Sequence, residues 1–139
     1  MGQLVRVSIS LDADLLRDLD GLMKKSGHRN RSEAVRDLIR DRLVGEEWKD
    51  EDREAVAVLA LIYNHEAREI GDILNRVQHE HFRTIVSATH VHLDRHNCLE
   101  TIILKGRIRL IRKTAGELLG LRKVKHGKLI MTTTGRNLI

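Results

Sequence analysis

Residues that can bind a metal ion are concentrated in one short stretch of the chain. Residues 90–98 read HVHLDRHNC and contain the only cysteine together with three of the eight histidines. Imidazole nitrogens and a thiolate sulfur suit nickel, copper and zinc, so the stretch predicts a metal site. The alternative is a polar hairpin in which these side chains only happen to lie close together. The motif alone leaves both interpretations open.

The pairing of two strands decides whether these side chains converge. His90 and His92 are two residues apart, so on a strand they point to the same face. If a three-residue turn joins the strands, Cys98 lies opposite His92 and Glu100 lies opposite His90, although a register shifted by one residue stays open. Three converging ligands need a fourth, and the end of the preceding helix offers two candidates. These are His79 and His81.

The second half of the chain predicts one α+β domain that positions this hairpin. An apolar run at 55–63 predicts a strand buried on both faces, and residues 66–80 have apolar side chains at helical spacing. Strands over 84–94 and 97–105, a basic amphipathic helix and a last strand, GKLIMTT, follow. The order β-α-β-β-α-β predicts a ferredoxin-like fold, whose four-stranded sheet has both helices on one face. Its other face is free to pair with another chain.

The first half of the chain predicts a small unit that is incomplete by itself. Residues 5–10 alternate apolar and polar side chains, which is the period of a strand. Two helices follow, capped by Asp12 and by either Asn30 or Ser32. A strand-helix-helix unit of about 45 residues buries little surface, and a lone strand leaves both edges unpaired. We therefore expect the same strand of a second chain to pair with it.

The polar face of the first strand has the residues of a DNA reader. Arg6, Ser8 and Ser10 project from one face, and a two-stranded ribbon fits the major groove, where arginine can donate twice to guanine. Arg31 and Ser32 lie where the second helix presents its N-terminal amides, which can bind a phosphate or form an ordinary cap. A solvated edge strand is the alternative. The strand-helix-helix order, however, resembles the ribbon-helix-helix repressors.

Composition predicts a soluble, cytoplasmic protein. The chain has 139 residues, of which 41% are apolar and 32% charged, and its single cysteine cannot form an internal disulfide. A formal charge of +5 and a pI near 9.7 permit a polyanionic partner without requiring one. Neither a membrane span nor a secretory signal is predicted. The acidic stretch 46–54 predicts an exposed helix end and connector.

Three motifs together resemble the nickel-responsive regulators over essentially the whole chain. They are QHEH at 78–81, HVH at 90–92 and NCLE at 97–100, behind the ribbon-helix-helix pattern. The resemblance implies three parts: a ribbon-helix-helix DNA-binding domain at 1–46, an acidic connector at 47–54, and a ferredoxin-like, ACT-like nickel-binding and tetramerisation domain at 55–139.

The resemblance also implies the metal ligands. His90, His92 and Cys98 of one subunit and His79 of a neighbour would bind one nickel(II) per subunit in a homotetramer, a dimer of dimers. By their chemistry alone, three imidazoles and a thiolate suit nickel or copper in a plane, and zinc in a tetrahedron. Two further residues would orient the ligands by hydrogen bonds; these are Gln78 and Glu100. Three histidines have roles that stay open; these are His65, His81 and His96.

Two further sites are implied by the resemblance. Family members can place a basic pair after the first strand of the regulatory domain to touch phosphate; here the pair is Ala67 and Arg68, so only Arg68 fills that role. Glu33 and Asp37 would contribute to a second cation site between the domains. By charge pattern alone, they are a surface pair balanced by arginines on the same helix.

We therefore expect a nickel-dependent repressor of nickel uptake that reads a palindromic operator in double-stranded DNA. A metalloenzyme is less consistent with the sequence, since four protein ligands leave no open coordination position and no nucleophile-base pair stands out. A ribbon-helix-helix regulator or antitoxin that responds to another metal or a small molecule is the remaining alternative. Operator DNA and copies of the same chain are the expected partners, with no membrane and no further protein.

Overall fold

The computed structural model describes residues 2–66 and 68–139, except for the side chain of Arg68. The chain divides into two compact units. The first, called the head below, contains Met1–Leu43 and Asn137–Ile139. The second, called the sheet domain, is Val44–Arg136. None of the helices within the described residues is long and apolar enough to cross a bilayer.

The head contains α1, Ala13–Ser26, and the start of α2, Arg31–Glu47. Gly27 ends α1 with a φ of 74°, a left-handed conformation that is favourable for glycine because it has no Cβ. Of the two predicted caps for α2, Asn30 is the one used, since its Oδ1 accepts a hydrogen bond of 2.9 Å from the backbone N–H of Glu33. A short, well-defined turn therefore joins the two helices.

The apolar side chains of the head are largely unburied in a single chain. Residues 2–12, all of which are described, form no helix or strand and are exposed. No residue of α1 is buried, and Leu15 and Leu22 are more than half exposed. The strand expected at residues 5–10 is therefore absent from the single chain. A strand needs a hydrogen-bonded neighbour, and the expected neighbour belongs to a second chain.

The sheet domain has the predicted ferredoxin-like order of elements. Its strands and helices are β1 Glu54–Asn64, α3 Arg68–Glu80, β2 Ile85–His92, β3 Asn97–Arg107, α4 Ile108–Leu119 and β4 Val124–Thr132. The strands form one antiparallel sheet in the order β2-β3-β1-β4. The α+β fold class expected for this half of the chain is confirmed.

The core lies on one face of this sheet. Alternate residues of β1 from Ala55 to Tyr63 are buried, and so are alternate residues of β3 from Cys98 to Leu104. The residues between them in β1 are half-buried, so the expected burial on both faces is found on only one face of the single chain. Helix α4 packs on β1, β3 and β4, whereas β2 is exposed along most of its length. The hairpin therefore has an exposed edge strand.

The acidic stretch at 46–54 differs from the exposed connector that was expected. Glu47 and Trp48 are buried, and Trp48 belongs to the core of the sheet domain. Its indole Nε1–H donates to the carbonyl oxygen of Thr132 at 2.8 Å, and the guanidinium carbon of Arg112 lies 5.5 Å from the ring centroid. A large apolar ring with its one donor satisfied is stable in a core despite acidic neighbours in the sequence.

Candidate metal centre

The register of the β2–β3 hairpin brings two candidate ligands together, His92 and Cys98, and leaves His90 outside that converging group. His92 pairs with Cys98 and His90 pairs with Glu100, as the sequence predicted. Directly paired residues point to the same face of an antiparallel sheet. Cys98 and Glu100 lie on the buried, helix-side face of β3, so His90 and His92 project beside them from the exposed edge strand.

The turn of the hairpin is fixed by one carboxylate. Asp94 Oδ1 accepts hydrogen bonds of 2.8 Å from the backbone N–H groups of both His96 and Asn97, and the side-chain amide of Asn97 donates to Oδ2. The Asn97 amide, followed by these backbone donors, lowers the pKa of Asp94 to about 2. The carboxylate therefore stays charged at neutral pH and maintains the short turn that sets the register.

The imidazole of His90 is oriented by two neighbouring groups. Its Nδ1 lies 3.0 Å from Glu100 Oε2 and 2.9 Å from the hydroxyl of Tyr63, which itself donates to Glu100 at 3.3 Å. A carboxylate can only accept, so this contact favours the tautomer with the proton on Nδ1, which leaves Nε2 a lone pair for a metal ion. Burial, followed by the charge of Glu100, raises the pKa of Tyr63, so this hydroxyl stays neutral.

Tyr63 was missed by the sequence analysis, and its role gives a first prediction. Replacing Tyr63 with phenylalanine keeps the ring but removes the hydroxyl that contacts His90. We expect nickel affinity to fall by about 10- to 100-fold, the usual effect of losing a group that orients a ligand. Competition against a chelator of known affinity measures the change. Unaltered affinity in a variant that unfolds like the wild type would show that the hydroxyl does not orient the site.

Cys98 and His92 are already close to each other without a metal ion. Cys98 Sγ lies 3.4 Å from His92 Nδ1, and the thiol is fully buried. Burial, followed by the negative charges of Asp94 and Glu100, raises the pKa of Cys98. A metal ion binds the thiolate, so metal binding must release the thiol proton. Metal affinity should therefore fall as the pH is lowered.

A third histidine joins these two ligands in the single chain. The ligand atoms of His65, His92 and Cys98 all lie within 4.8 Å of one another. The ring of His65 meets that of His92 edge to face, with centroids 5.5 Å apart and planes at 87°. His65 was left without a role by the sequence analysis. The only feature of the sequence that could have indicated a role for His65 is its position directly after β1.

His79, the expected fourth ligand, lies elsewhere in the single chain. It occupies the last turn of α3 and is exposed, beside the half-buried Gln78. Among the described residues, His79 is not part of the converging group that contains Cys98. Its assignment to the site of a neighbouring chain therefore stays a prediction.

The two other histidines with open roles pair with carboxylates. His81 Nε2 lies 3.0 Å from Glu117 Oε2, and Glu80 is close enough to form a small group with them, in which only His81 is half-buried. His96 Nδ1 lies 3.1 Å from Glu66 Oε1. Each histidine thus has a local partner on the protein surface.

The candidate DNA-binding residues of the head lie on exposed segments. Arg6, Ser8 and Ser10 are in the exposed segment 2–12. The guanidinium of Arg31 donates two hydrogen bonds to Asp20, at 2.9 and 3.0 Å, whereas Ser32 is exposed at the start of α2. The Arg31 side chain is thus already engaged, which leaves the backbone amides of α2 as the more accessible donors to a phosphate.

The two acids of the expected second cation site have partners within the head. Glu33 accepts a hydrogen bond of 3.0 Å from the backbone N–H of Arg29, and Asp37 lies 3.0 Å from His28 Nε2. The bond to His28, with a smaller contribution from Arg40, lowers the pKa of Asp37. The remaining candidate, Arg68, begins α3; its side chain and all of Ala67 lie outside the described residues.

The chemistry of the hairpin site fits a late transition metal. Two imidazoles and a thiolate are nitrogen and sulfur donors, which favour nickel, copper or zinc over magnesium or calcium. The carboxylate of Glu100 lies 3.0 Å from Nδ1 of His90, and protein groups commonly orient an imidazole ligand by such a contact. The residues present therefore suit nickel.

Comparisons with known proteins agree with this chemistry. Residues 5–45 match the family described as "Ribbon-helix-helix protein, copG family", and residues 56–132 match "NikR C terminal nickel binding domain". Such a head joined to such a site defines a metal-responsive DNA-binding regulator rather than an enzyme. Proteins named as nickel-responsive regulators share 51% identity over 138 residues in Geobacter metallireducens and 48% over 136 residues in Pyrococcus furiosus. The chain belongs to the family of nickel-responsive regulators.

The matches span nearly the full length of these relatives. The Geobacter alignment covers 99% of each chain, and the Pyrococcus alignment covers 98% of this chain and 99% of its relative. A third relative, from Caldanaerobacter subterraneus, is 50% identical over 97% of this chain and 88% of its own. The match to an uncharacterised protein from Thermotoga maritima, 14% identical, covers 57% of this chain and 98% of that protein with a TM-score of 0.51, and it shows a likeness of fold alone.

Proposed function

We propose that this nickel-responsive regulator is a repressor of nickel uptake that reads a palindromic operator. The observation that most supports a metal-sensing role is the hairpin, where Cys98 Sγ lies 3.4 Å from His92 Nδ1 and His90 pairs with Glu100, in the register that the sequence predicted. A regulator acts in this way when the metal site and the DNA reader are separate but energetically coupled. The proposed place of action is the cytoplasm, where DNA and a reduced thiol are both present.

The exposed apolar surface of the head supports pairing of two heads. Val5, Val7 and Ile9 are each at least 66% exposed, and apolar residues of both helices are about half exposed. Pairing residues 5–10 of two chains would satisfy the backbone of the strand and cover these side chains. The resulting ribbon would carry Arg6, Ser8 and Ser10 into the major groove. Residues at the start of α2 would bind phosphate through backbone amides; these are Arg31 and Ser32.

The proposed nickel site is shared between two chains of a homotetramer, a dimer of dimers. His90, His92 and Cys98 would come from one chain and His79 from a neighbour, with one nickel(II) per subunit. Bound there, nickel links two chains through one ligand set. The exposure of β2 and of His79 supports this arrangement because both are accessible to another chain. The two orienting residues would be Gln78 and Glu100.

Coupling between the metal site and the DNA-binding surface requires that the metal site be complete in only some arrangements of the chains. The proposed division is a DNA-binding domain at 1–46, a connector at 47–54 and a regulatory domain at 55–139. Nickel binding by paired regulatory domains would favour the arrangement in which two pairs of heads match the two half-sites of the operator. In that arrangement Arg68 would contact phosphate, and two acids would contribute to a second cation site; these are Glu33 and Asp37.

Selection from a random DNA pool tests the reading of DNA. Replacing Arg6 with alanine should cost about 1 to 3 kcal/mol of discrimination at the base it contacts, because a bidentate pair with guanine is lost. Replacing Arg68 with alanine should weaken binding about equally for all sequences, since a phosphate carries no sequence information. With nickel present, the wild type and the Arg68 variant should enrich the same two-fold-symmetric site. Equal enrichment of that site by the Arg6 variant would exclude the ribbon face as the reader.

A further inference from the structure

We propose that the contact between His81 and Glu117 positions His79 for the shared nickel site, because it holds the end of α3 against α4. The inference rests on the proposed function, in which α3 supplies His79 to the metal site of a neighbouring chain. It gives His81 a role that its sequence motif left open, and it makes Glu117 a positioning residue rather than a metal ligand.

The last turn of α3 lies beyond the part of that helix that the core holds. Ile70, Leu74 and Val77 are at most 5% exposed and belong to the core of the sheet domain. His79 follows Val77 by two residues and is exposed, in the turn where the carbonyl groups of a helix lack partners within the helix. Helix ends fray readily. The position of the His79 side chain therefore depends on what holds the residues after Val77.

His81 connects this last turn to its two neighbours in the fold. Its backbone N–H donates to the carbonyl oxygen of Val77 at 3.0 Å, which continues the bonding pattern of α3. Its own carbonyl oxygen accepts hydrogen bonds of 2.9 and 3.0 Å from the backbone N–H groups of Thr84 and Ile85, where β2 begins. Its half-buried imidazole reaches α4, with Nε2 3.0 Å from Glu117 Oε2. One residue thus links the end of α3, the start of β2 and α4.

Helix α4 provides a fixed support for this contact. Ile111, Ala115 and Leu118 are at most 1% exposed, and α4 packs on β1, β3 and β4. Glu117 directly precedes Leu118, so its backbone is held by the core while its side chain stays partly exposed. A carboxylate can only accept, so the contact favours the tautomer of His81 with the proton on Nε2. Removing the carboxylate would release the end of α3 and leave α4 in place.

Glu80 is a second acid in the same small group, and it serves as a matched control. Its carboxylate has an oxygen within 4.8 Å of the ligand atoms of His81 and Glu117. It belongs to α3 itself, however, and it pairs with Arg76 of the same helix at 3.9 Å. A contact within α3 cannot hold that helix against α4. Glu80→Ala therefore removes one negative charge next to His79, as Glu117→Ala does, but leaves the contact between the helices intact.

Hydrogen exchange of the metal-free protein tests whether the contact holds the end of α3. Glu117→Ala should make the amides of residues 78–81 exchange roughly 2- to 10-fold faster, because one hydrogen bond changes an opening equilibrium by about that factor. Glu80→Ala should exchange as the wild type does, and Glu117→Gln, which keeps an oxygen acceptor, should recover part of the protection. Unchanged exchange in Glu117→Ala would overturn the proposal.

Mixtures of two site variants test whether the contact acts through His79. A Cys98→Ala chain supplies His79 to a mixed interface, and a His79→Ala chain supplies the hairpin ligands. Adding Glu117→Ala to the first chain should raise the nickel concentration that gives half of the recovered thiolate band by roughly 2- to 10-fold. Adding it to the second chain should leave that concentration unchanged, since this chain supplies no His79. A role in general stability would weaken both mixtures equally, and that result would overturn the proposal.

The same mixtures separate this proposal from the shared site on which it rests. A band in the mixture without Glu117→Ala, together with no effect of Glu117→Ala on either chain, would refute the positioning role alone. Absence of the band from that mixture would refute the shared site, and the positioning role would fall with it.

Discussion

Replacing Cys98 with alanine should abolish the nickel-thiolate charge-transfer band and the nickel-dependent gain in operator affinity. Cys98 is the only cysteine of the chain, so no other residue can supply a thiolate. It is also fully buried, with its Sγ 3.4 Å from His92 Nδ1. We expect nickel affinity to fall by at least about 100-fold, since a direct ligand should matter more than the groups that orient it.

Absorption spectroscopy with added nickel measures this result, and two controls separate chemistry from packing. Alanine leaves a small cavity, whereas Cys98→Ser fills the same space with a poorer ligand; both variants should lose the band. His126→Ala removes an exposed histidine of β4 that no proposed site uses, and it should keep the band unchanged. A thiolate band that persists in either Cys98 variant would contradict the assignment of the sulfur ligand.

A mixture of two inactive variants should recover part of the nickel band. His79→Ala retains the three hairpin ligands, and Cys98→Ala retains the helix ligand, so neither homo-oligomer has a complete site. If the site is shared, a mixed interface has one complete site and one that lacks both ligands. Random mixing across a two-fold interface makes half of the interfaces mixed, so about a quarter of the wild-type band should return.

Denaturing the two variants together, refolding them and titrating with nickel makes this measurement. Native mass spectrometry establishes that hetero-oligomers have formed. Each variant refolded alone is the matched control and should show no band. If His79 served its own chain, every chain in the mixture would stay defective. Absence of the band from a mixture that contains hetero-oligomers would therefore refute the shared site.

The metal hairpin was predictable because its geometry depends on neighbours in the sequence. The two-residue spacing of His90 and His92 fixes their common face, and a short turn fixes which residues of β3 they meet. Asp94 also stabilises that turn, because its carboxylate accepts hydrogen bonds from the backbone N–H groups of His96 and Asn97. Short-range rules of this kind can be read from a single sequence, and the structure has the predicted register.

The contributions of Tyr63 and His65 were not predictable in the same way. Both lie at the end of β1, more than thirty residues before their partners Cys98 and His96. Their positions depend on how β1 pairs with β3, which the residue pattern of either strand leaves undetermined. Trp48 is a similar case, because its hydrogen bond partner Thr132 lies on the last strand. Long-range pairing decides each of these contacts.

The first strand shows a different limit. Val5, Val7 and Ile9 have the alternation of a strand, but within one chain residues 2–12 have no strand partner and are exposed. Alternation predicts which face of a strand becomes buried, whereas formation of the strand requires a neighbour. The alternation thus indicated that this strand needs a partner strand from a second chain.

Operator affinity measured with and without nickel tests most directly the claim that this chain is a nickel-dependent repressor. The labelled operator from the selection experiment is titrated with metal-free and nickel-loaded protein at one fixed salt concentration, because DNA affinity depends strongly on salt. Coupling between two sites is typically about 1 to 3 kcal/mol, so nickel should tighten binding by about 5- to 150-fold. Equal affinities, in protein whose nickel-thiolate band shows that the site is filled, would contradict the account.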